Sequence, residues 1–293
     1  MDSRLLIFVL ALAILALVRV GMWMAKRHGR PLLATQSELL RWDIRQLLLA
    51  SFLTLFGELA FIRLIAVEVR VFAYFKNLAL LLCFVGFGLG CALVNERVRW
   101  ATAINAFLGL VLIVRFPWSQ EPLEQLSQNL AAASDVQIWY AGSSWQWLPF
   151  LNATLLAGAL FLLIVLIFIP LGQIVSQQMN SAARPLSAYS WNLLGSLAGI
   201  LAFLATSRLM LPPTFWLGAV LLGFAGLQTE RRDRVLVVSL VIPLLLLLHE
   251  PSQNGKKVIW TPYQQIQYLP QYASNGDLVR PSLQSITAVT RAS

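Results

Sequence analysis

Charged residues are scarce in this chain. Of its 293 residues only 12% are charged, whereas 58% are hydrophobic, and the mean hydropathy is +0.71. A soluble globular domain is about 25% charged. The composition therefore argues against a soluble protein and predicts an integral membrane protein whose main partner is the lipid bilayer.

Metal-binding residues are also few. The two cysteines, Cys83 and Cys91, lie eight positions apart in one apolar run. That spacing is ~12 Å along a helix, beyond the ~7 Å limit for a disulfide within it. The two histidines, His28 and His249, stand at the ends of apolar runs without metal-ligand spacing around them. The sequence therefore predicts packing cysteines and no metal site.

Catalytic motifs are missing as well. The chain contains no nucleophile elbow, no paired carboxylates outside its apolar runs, and no G-x-G-x-x-G after a strand. We therefore predict no catalytic residue in these 293 residues.

The net charge is +9, but the Lys and Arg residues stand between apolar runs rather than in one basic patch. Such residues orient a membrane protein, so no nucleic-acid partner is predicted. The loop 26–45 is strongly basic, whereas the loop 117–148 is acidic and has no Lys or Arg. The positive-inside rule places 26–45 in the cytoplasm and 117–148 outside, as in a bacterial-type inner (plasma) membrane protein with many spans.

Apolar runs predict an all-α polytopic membrane domain over residues 1–249. About 20 apolar residues are needed to cross the hydrocarbon core. The runs that approach this length are 5–25, 47–69, 74–94, 100–116, 149–175, 187–207, 209–228 and 235–248. The first is predicted to be an uncleaved signal anchor. The last is only ~21 Å long as a helix and contains Pro243, so we expect seven or eight spans.

The composition becomes polar after Glu250. Within the tail 250–293, the stretch 258–269 has the β-branched and aromatic content of a strand. Forty residues cannot bury a useful core alone. The tail is therefore predicted to be the incomplete start of a soluble domain that begins as a β-strand. It would lie outside if the last segment crosses the membrane, and in the cytoplasm if it does not.

Three polar residues interrupt the apolar runs and are candidate site residues: Glu58, Arg63 and Asn192. A charged side chain at membrane depth usually faces the protein interior with a partner. Glu58 and Arg63 are five residues apart, about 140° around a helix, so they are not expected to pair with each other. Two interpretations stay open: a functional polar site between helices, or an interhelical hydrogen bond with charges that reach the membrane surface.

Two pairs of glycines have the small-xxx-small spacing that lets helix backbones approach closely. They are Gly86 with Gly90, and Gly195 with Gly199. We predict close helix packing at both pairs. The sequence leaves open whether the chain forms a homo-oligomer.

Three stretches together resemble the membrane-embedded members of the spermidine synthase (polyamine aminopropyltransferase) family. The first is the E-x4-R-L run at Glu58–Leu64 with the following 73–93, the second is 185–201, and the third is 260-WTPYQQIQYL-269. The family often has Asp where this chain has Asn192. The resemblance implies a multi-span membrane domain fused to a soluble transferase domain.

This resemblance also implies ligands. In the family, the Gln at the position of Gln264 contacts a decarboxylated S-adenosylmethionine-type co-substrate, and a polyamine-like molecule is the second ligand. The family's glycine-rich loop, its acidic ribose-binding residue and its catalytic Asp have no counterpart before Ser293. We therefore expect a truncated member, without a cofactor of its own and inactive in aminopropyl transfer.

Two alternatives remain beside this membrane anchor. A transporter-like protein would bind a small solute at its intramembrane polar residues, and glycine pairs in the third and sixth predicted spans hint at an internal repeat. A passive membrane scaffold would need no ligand at all.

Overall fold

A computed structural model of the protein describes residues 42–68, 76–115, 147–248, 257–261, 265–272 and 278–285. The predicted first span, 5–25, lies outside the described residues, as do Gln264 and nearly all of the acidic loop 117–148.

Most of the described chain is helical. The helices are α1 (Ile44–Glu68), α2 (Lys76–Ala92), α3 (Trp100–Arg115), α4 (Trp147–Asn180), α5 (Pro185–Arg208), α6 (Pro213–Gly226), α7 (Arg231–Ser239) and α8 (Val241–Leu248). Within these described ranges, three stretches are long and apolar enough to cross a membrane: Ile44–Val67, Thr154–Asn180 and Pro185–Arg208. Shorter apolar helices cover Asn77–Ala92, Trp100–Val114 and Pro213–Gly226. The prediction of a helical chain is confirmed, and three of its helices could span a membrane by length and composition.

Proline marks several helix boundaries. Pro185 and Pro213 each stand at the first position of a helix, where the missing N–H would have no partner in any case. Pro170 lies inside α4, which nevertheless continues to Asn180.

The predicted single span 235–248 is not one continuous helix. It is divided between α7 and α8, with a turn at Leu240 between them. Pro243 explains the break, because it has no N–H to donate to the carbonyl of Ser239 four residues earlier.

Helix α1 lies at the centre of the bundle and packs against α2, α4, α5 and α6, most extensively against α5. Helix α2 packs mainly against α4. Buried rings join several helices edge to face, with centroids of Phe61 and Phe107 5.7 Å apart and of Phe61 and Phe168 6.0 Å apart. Such contacts add to the stabilisation from burial alone.

The bundle has two chemically different ends. The ends of α2 and α4 meet the start of α1, where the backbone N–H of Asp43 donates to Gln178 Oε1 at 2.8 Å and Gln177 Nε2 donates to the carbonyl of Val94 at 2.8 Å. Arginines follow in the adjoining turns and helix starts: Arg97, Arg99, Arg184, Arg231, Arg232 and Arg234. We call this the basic end. The opposite end holds Arg63, Ser207 and Trp216.

Three strands follow the helices: β1 (Lys257–Trp260), β2 (Gln265–Tyr272) and β3 (Leu278–Ser285). They form an antiparallel sheet in the order β1-β2-β3, with Val258 opposite Gln267 and Ile266 opposite Ser285. The stretch 258–269, predicted as one strand, contains the end of β1 and the first part of β2.

Candidate functional site

A stripe of polar side chains runs along one face of α1. Ser51, Thr54 and Glu58 stand at positions i, i+3 and i+7, which share a helix face. The hydroxyl of Ser51 donates to the carbonyl of Leu47 at 2.7 Å, and that of Thr54 donates to Ala50 at 2.8 Å. The Thr54 proton is therefore used within the helix, and the Thr54 oxygen lone pairs remain available as acceptors. The single Ser51 proton is shared, because Ser51 Oγ also donates to Asn192 Oδ1.

This stripe lines a cavity of about 190 Å³ between α1, α2, α4 and α5, which we call the Glu58 cavity. Its wall is formed by Ser51, Thr54, Leu55, Glu58, Cys83, Phe84, Phe87, Phe168, Val175, Asn192 and Ser196. Phe84 is 57% exposed, so the cavity has an open side next to α2. The site thus combines polar groups on α1 and α5 with aromatic groups on α2 and α4.

Two of the three predicted polar residues meet in this cavity. Asn192 of α5 lines it together with Glu58 of α1, and the side-chain amide of Asn192 is hydrogen-bonded to Ser51 Oγ at 2.6 Å. This bond joins α1 to α5 at one edge of the cavity. An interhelical hydrogen bond therefore exists, but Glu58 is not part of it.

Glu58 is only 4% exposed. Among the described residues its carboxylate has no hydrogen-bond or ion-pair partner, and it faces the cavity. A buried carboxylate without a partner is costly. Glu58 is thus the chemically distinctive group of the site.

Arg63 lies away from the cavity, at the end of the bundle opposite the basic end. Its Nη1 donates to Ser207 Oγ at 2.6 Å, and its Nη2 donates to the carbonyl of Thr261. Its guanidinium carbon lies 4.7 Å from the centroid of the Trp216 ring, within the range of a cation–π contact. Arg63 therefore joins α1 to α5, to α6 and to the residue that follows β1.

Both glycine pairs lie where helix backbones touch. A Cβ at Gly86 would lie 2.5 Å from the carbonyl oxygen of Val165 in α4, and a Cβ at Gly90 would overlap Ile169 of the same helix. A Cβ at Gly195 would lie 2.7 Å from the carbonyl oxygen of Leu48 in α1. A Cβ at Gly199 would overlap the carbonyl oxygen of Phe52, one turn further along α1. These contacts hold α2 on α4 and α5 on α1, the four helices around the cavity.

Several residues that line the Glu58 cavity were not predicted as site residues from the sequence. Ser51 and Thr54 could have been found from their helical spacing with Glu58. Cys83 was predicted only as a packing residue, and it is buried but also lines the cavity. Ser196 and the three phenylalanines gave no signal, because their role depends on which helices meet.

The cavity offers carboxylate, hydroxyl and amide groups that can bind a ligand through hydrogen bonds. Among the described residues no group of three or more His, Cys, Asp or Glu side chains could hold a metal ion. Comparisons with protein families, curated proteins and solved structures found no match to this chain.

Proposed function

We propose that the chain crosses the membrane eight times, with the residues from 257 onward outside the cytoplasm. The crossings would be 5–25, α1 to α6, and α7 with α8 as the eighth. The path of the chain supports this proposal: α7 begins at Arg231 at the basic end, whereas Thr261 is bonded to Arg63 at the opposite end. Placed end to end, α7 and α8 with the turn between them would extend ~27 Å, close to the hydrocarbon thickness.

We further propose that the helical part is the membrane domain of a spermidine synthase-like protein, which anchors a transferase-like soluble domain that starts with β1–β3. The observation that carries this proposal is the antiparallel sheet after the last helix, tied to α1 through Arg63 and Thr261. The three stretches that resemble the family stand in the order that this architecture requires.

This orientation constrains the chemistry of the carried domain. The basic end faces the cytoplasm by the positive-inside rule, so the sheet would face the other side. A decarboxylated S-adenosylmethionine-type co-substrate is a cytosolic compound and would not reach a domain on that side. The proposal is therefore an anchored transferase-like domain with a different co-substrate.

Topology reporters test this proposal. Alkaline phosphatase fused after Lys257 should be active and a fluorescent protein at the same position dark, whereas fusions after Arg234, at the basic end, should give the reverse. A fluorescent signal after Lys257 would mean seven crossings. It would contradict the placement of the β1–β3 sheet outside the cytoplasm. A cytosolic S-adenosyl co-substrate could then reach the carried domain.

The transporter-like alternative is favoured by one observation, the Glu58 cavity with its polar side chains from α1 and α5. A transporter would move a small solute across sealed vesicles. Solute uptake that Glu58→Gln abolishes would favour this alternative over an anchor, and binding without uptake would favour the anchor.

A further inference from the structure

The described wall of the Glu58 cavity carries one formal charge. Its described side chains include the carboxylate of Glu58 and no Lys, Arg or His. Glu58 is 4% exposed and has no partner among the described residues. A charged group at membrane depth marks a ligand or ion site by default, and here the complementary group is a cation.

We propose that the Glu58 cavity binds a small protonated monoamine with an apolar body. The proposal names the ligand class of the cavity and does not rest on the domain carried at the C-terminal side.

The size of the cavity favours an organic cation over a bare ion. A water molecule takes about 30 Å³ of liquid, so a cavity of about 190 Å³ holds on the order of six groups of that size. A single metal ion would leave most of this volume empty. An amine with five carbons has six non-hydrogen atoms and fits the space.

The distribution of polar groups favours an amine that is polar at one end. An ammonium group has three N–H donors, and the Glu58 carboxylate with the lone pairs of Thr54, one turn away, supplies acceptors for them. The lining also includes Phe84, Phe87 and Phe168 from α2 and α4, which suit an alkyl chain.

The same distribution argues against a polyamine in this cavity. A second ammonium would have no anionic partner, because no second carboxylate lines the described wall and only neutral hydroxyl, amide and apolar groups are left. Burial of an unpaired charge is strongly unfavourable. The monoamine is therefore expected to bind more tightly than the diamine of equal chain length.

Three matched probes and one ion test the proposal on the full chain in lipid nanodiscs, with the shift of the thermal unfolding midpoint as the readout. The probes are pentylamine, 1-pentanol and 1,5-diaminopentane, and the ion is sodium. Pentylamine should stabilise the protein most.

Glu58→Gln should weaken apparent pentylamine affinity 10- to 100-fold, because a charge-assisted hydrogen bond is lost. Glu96→Gln, an exposed carboxylate outside the cavity, should leave it unchanged.

A second pair of variants keeps the test valid if Glu58→Gln folds poorly. Ser196→Leu places an alkyl group in the cavity and should abolish the pentylamine shift with Glu58 intact. Ser190→Leu, on the exposed side of the same helix, should not.

Four outcomes would overturn the proposal. Equal shifts with pentanol and pentylamine would mean apolar partitioning alone. Tighter binding of the diamine would reveal a second anionic group. If sodium stabilises the protein and pentylamine then causes no further shift, the cavity is an inorganic ion site. A pentylamine shift that survives both Glu58→Gln and Ser196→Leu would place the amine elsewhere.

Discussion

Gly90→Ala should destabilise the bundle although it adds only one methyl group. A Cβ at Gly90 would lie 2.9 Å from both the Gln173 nitrogen and the Gly172 Cα, and closer still to the carbonyl oxygen of Ile169. Ordinary contacts begin at 3.4 Å, and all three groups are backbone, which cannot turn aside. Helix α2 must therefore move away from α4 by at least half an ångström.

The expected loss of stability in Gly90→Ala follows from that displacement of α2. A gap of 0.5–1 Å forfeits roughly a quarter to a half of each dispersion contact, and overpacking of this kind typically costs about 1–3 kcal/mol. The bond from Gln173 Nε2 to the carbonyl of Leu93, 3.0 Å, lies at the same contact and contributes about 1 kcal/mol that is also at risk. The gain in helix propensity from Gly to Ala is about 1 kcal/mol. The last two contributions cancel, so we expect a net loss of about 1–3 kcal/mol.

Gly88 provides the matched control. It lies in the same helix two residues earlier, and a Cβ there would meet nothing within 4 Å. Gly88→Ala should therefore be neutral or stabilise the protein by up to about 1 kcal/mol. The measurement is reversible unfolding by a denaturing detergent, monitored by tryptophan fluorescence. Equal unfolding midpoints for the two variants would refute the close approach of α2 and α4.

Three further changes test other parts of the structure. Arg63→Gln should speed hydrogen exchange of the β1–β3 sheet, because the charged bonds to Ser207 and Thr261 are lost; unchanged exchange would contradict the link. Trp216→Phe should lower stability by about 1–2 kcal/mol in the same unfolding assay, since its Nε1 donates to Leu211 at 2.7 Å. Pro243→Ala should join α7 and α8 and raise the helical circular dichroism signal, and an unchanged signal would show another cause for the break.

The sequence predicted most helices but not their partners. Apolar runs gave the positions of α1 to α6 within a few residues, apart from the longer α4, because hydropathy is a local property. The small-xxx-small spacing at Gly86 and Gly90 predicted that some backbone would come close. It could not tell that this backbone belongs to α4, since any helix presents the same polar groups to a glycine.

The sequence indicated the break between α7 and α8 only in part. Pro243 stood out inside a short apolar run, but a proline in a membrane helix can kink it, interrupt it or be tolerated. Pro170 and Pro243 show two of these outcomes in one chain. Helix α4 continues through its proline, whereas the shorter segment divides at Leu240. The presence of a proline alone therefore does not distinguish the two outcomes.

Two charged residues of α1, Glu58 and Arg63, show that one physical rule can lead to different conclusions. A charge inside an apolar bundle needs a partner, so the sequence marked Glu58 and Arg63 alike. Arg63 contacts Ser207, Trp216 and Thr261, all far along the chain, and these contacts account for its place as a structural link.

Glu58 has the cavity in front of it and no partner among the described residues, so packing gives no reason for a carboxylate there. A neutral Gln would fill the same space at lower cost. The carboxylate therefore makes physical sense if it meets a cation from outside the chain, and the comparison of Glu58→Gln with wild type measures that interaction directly.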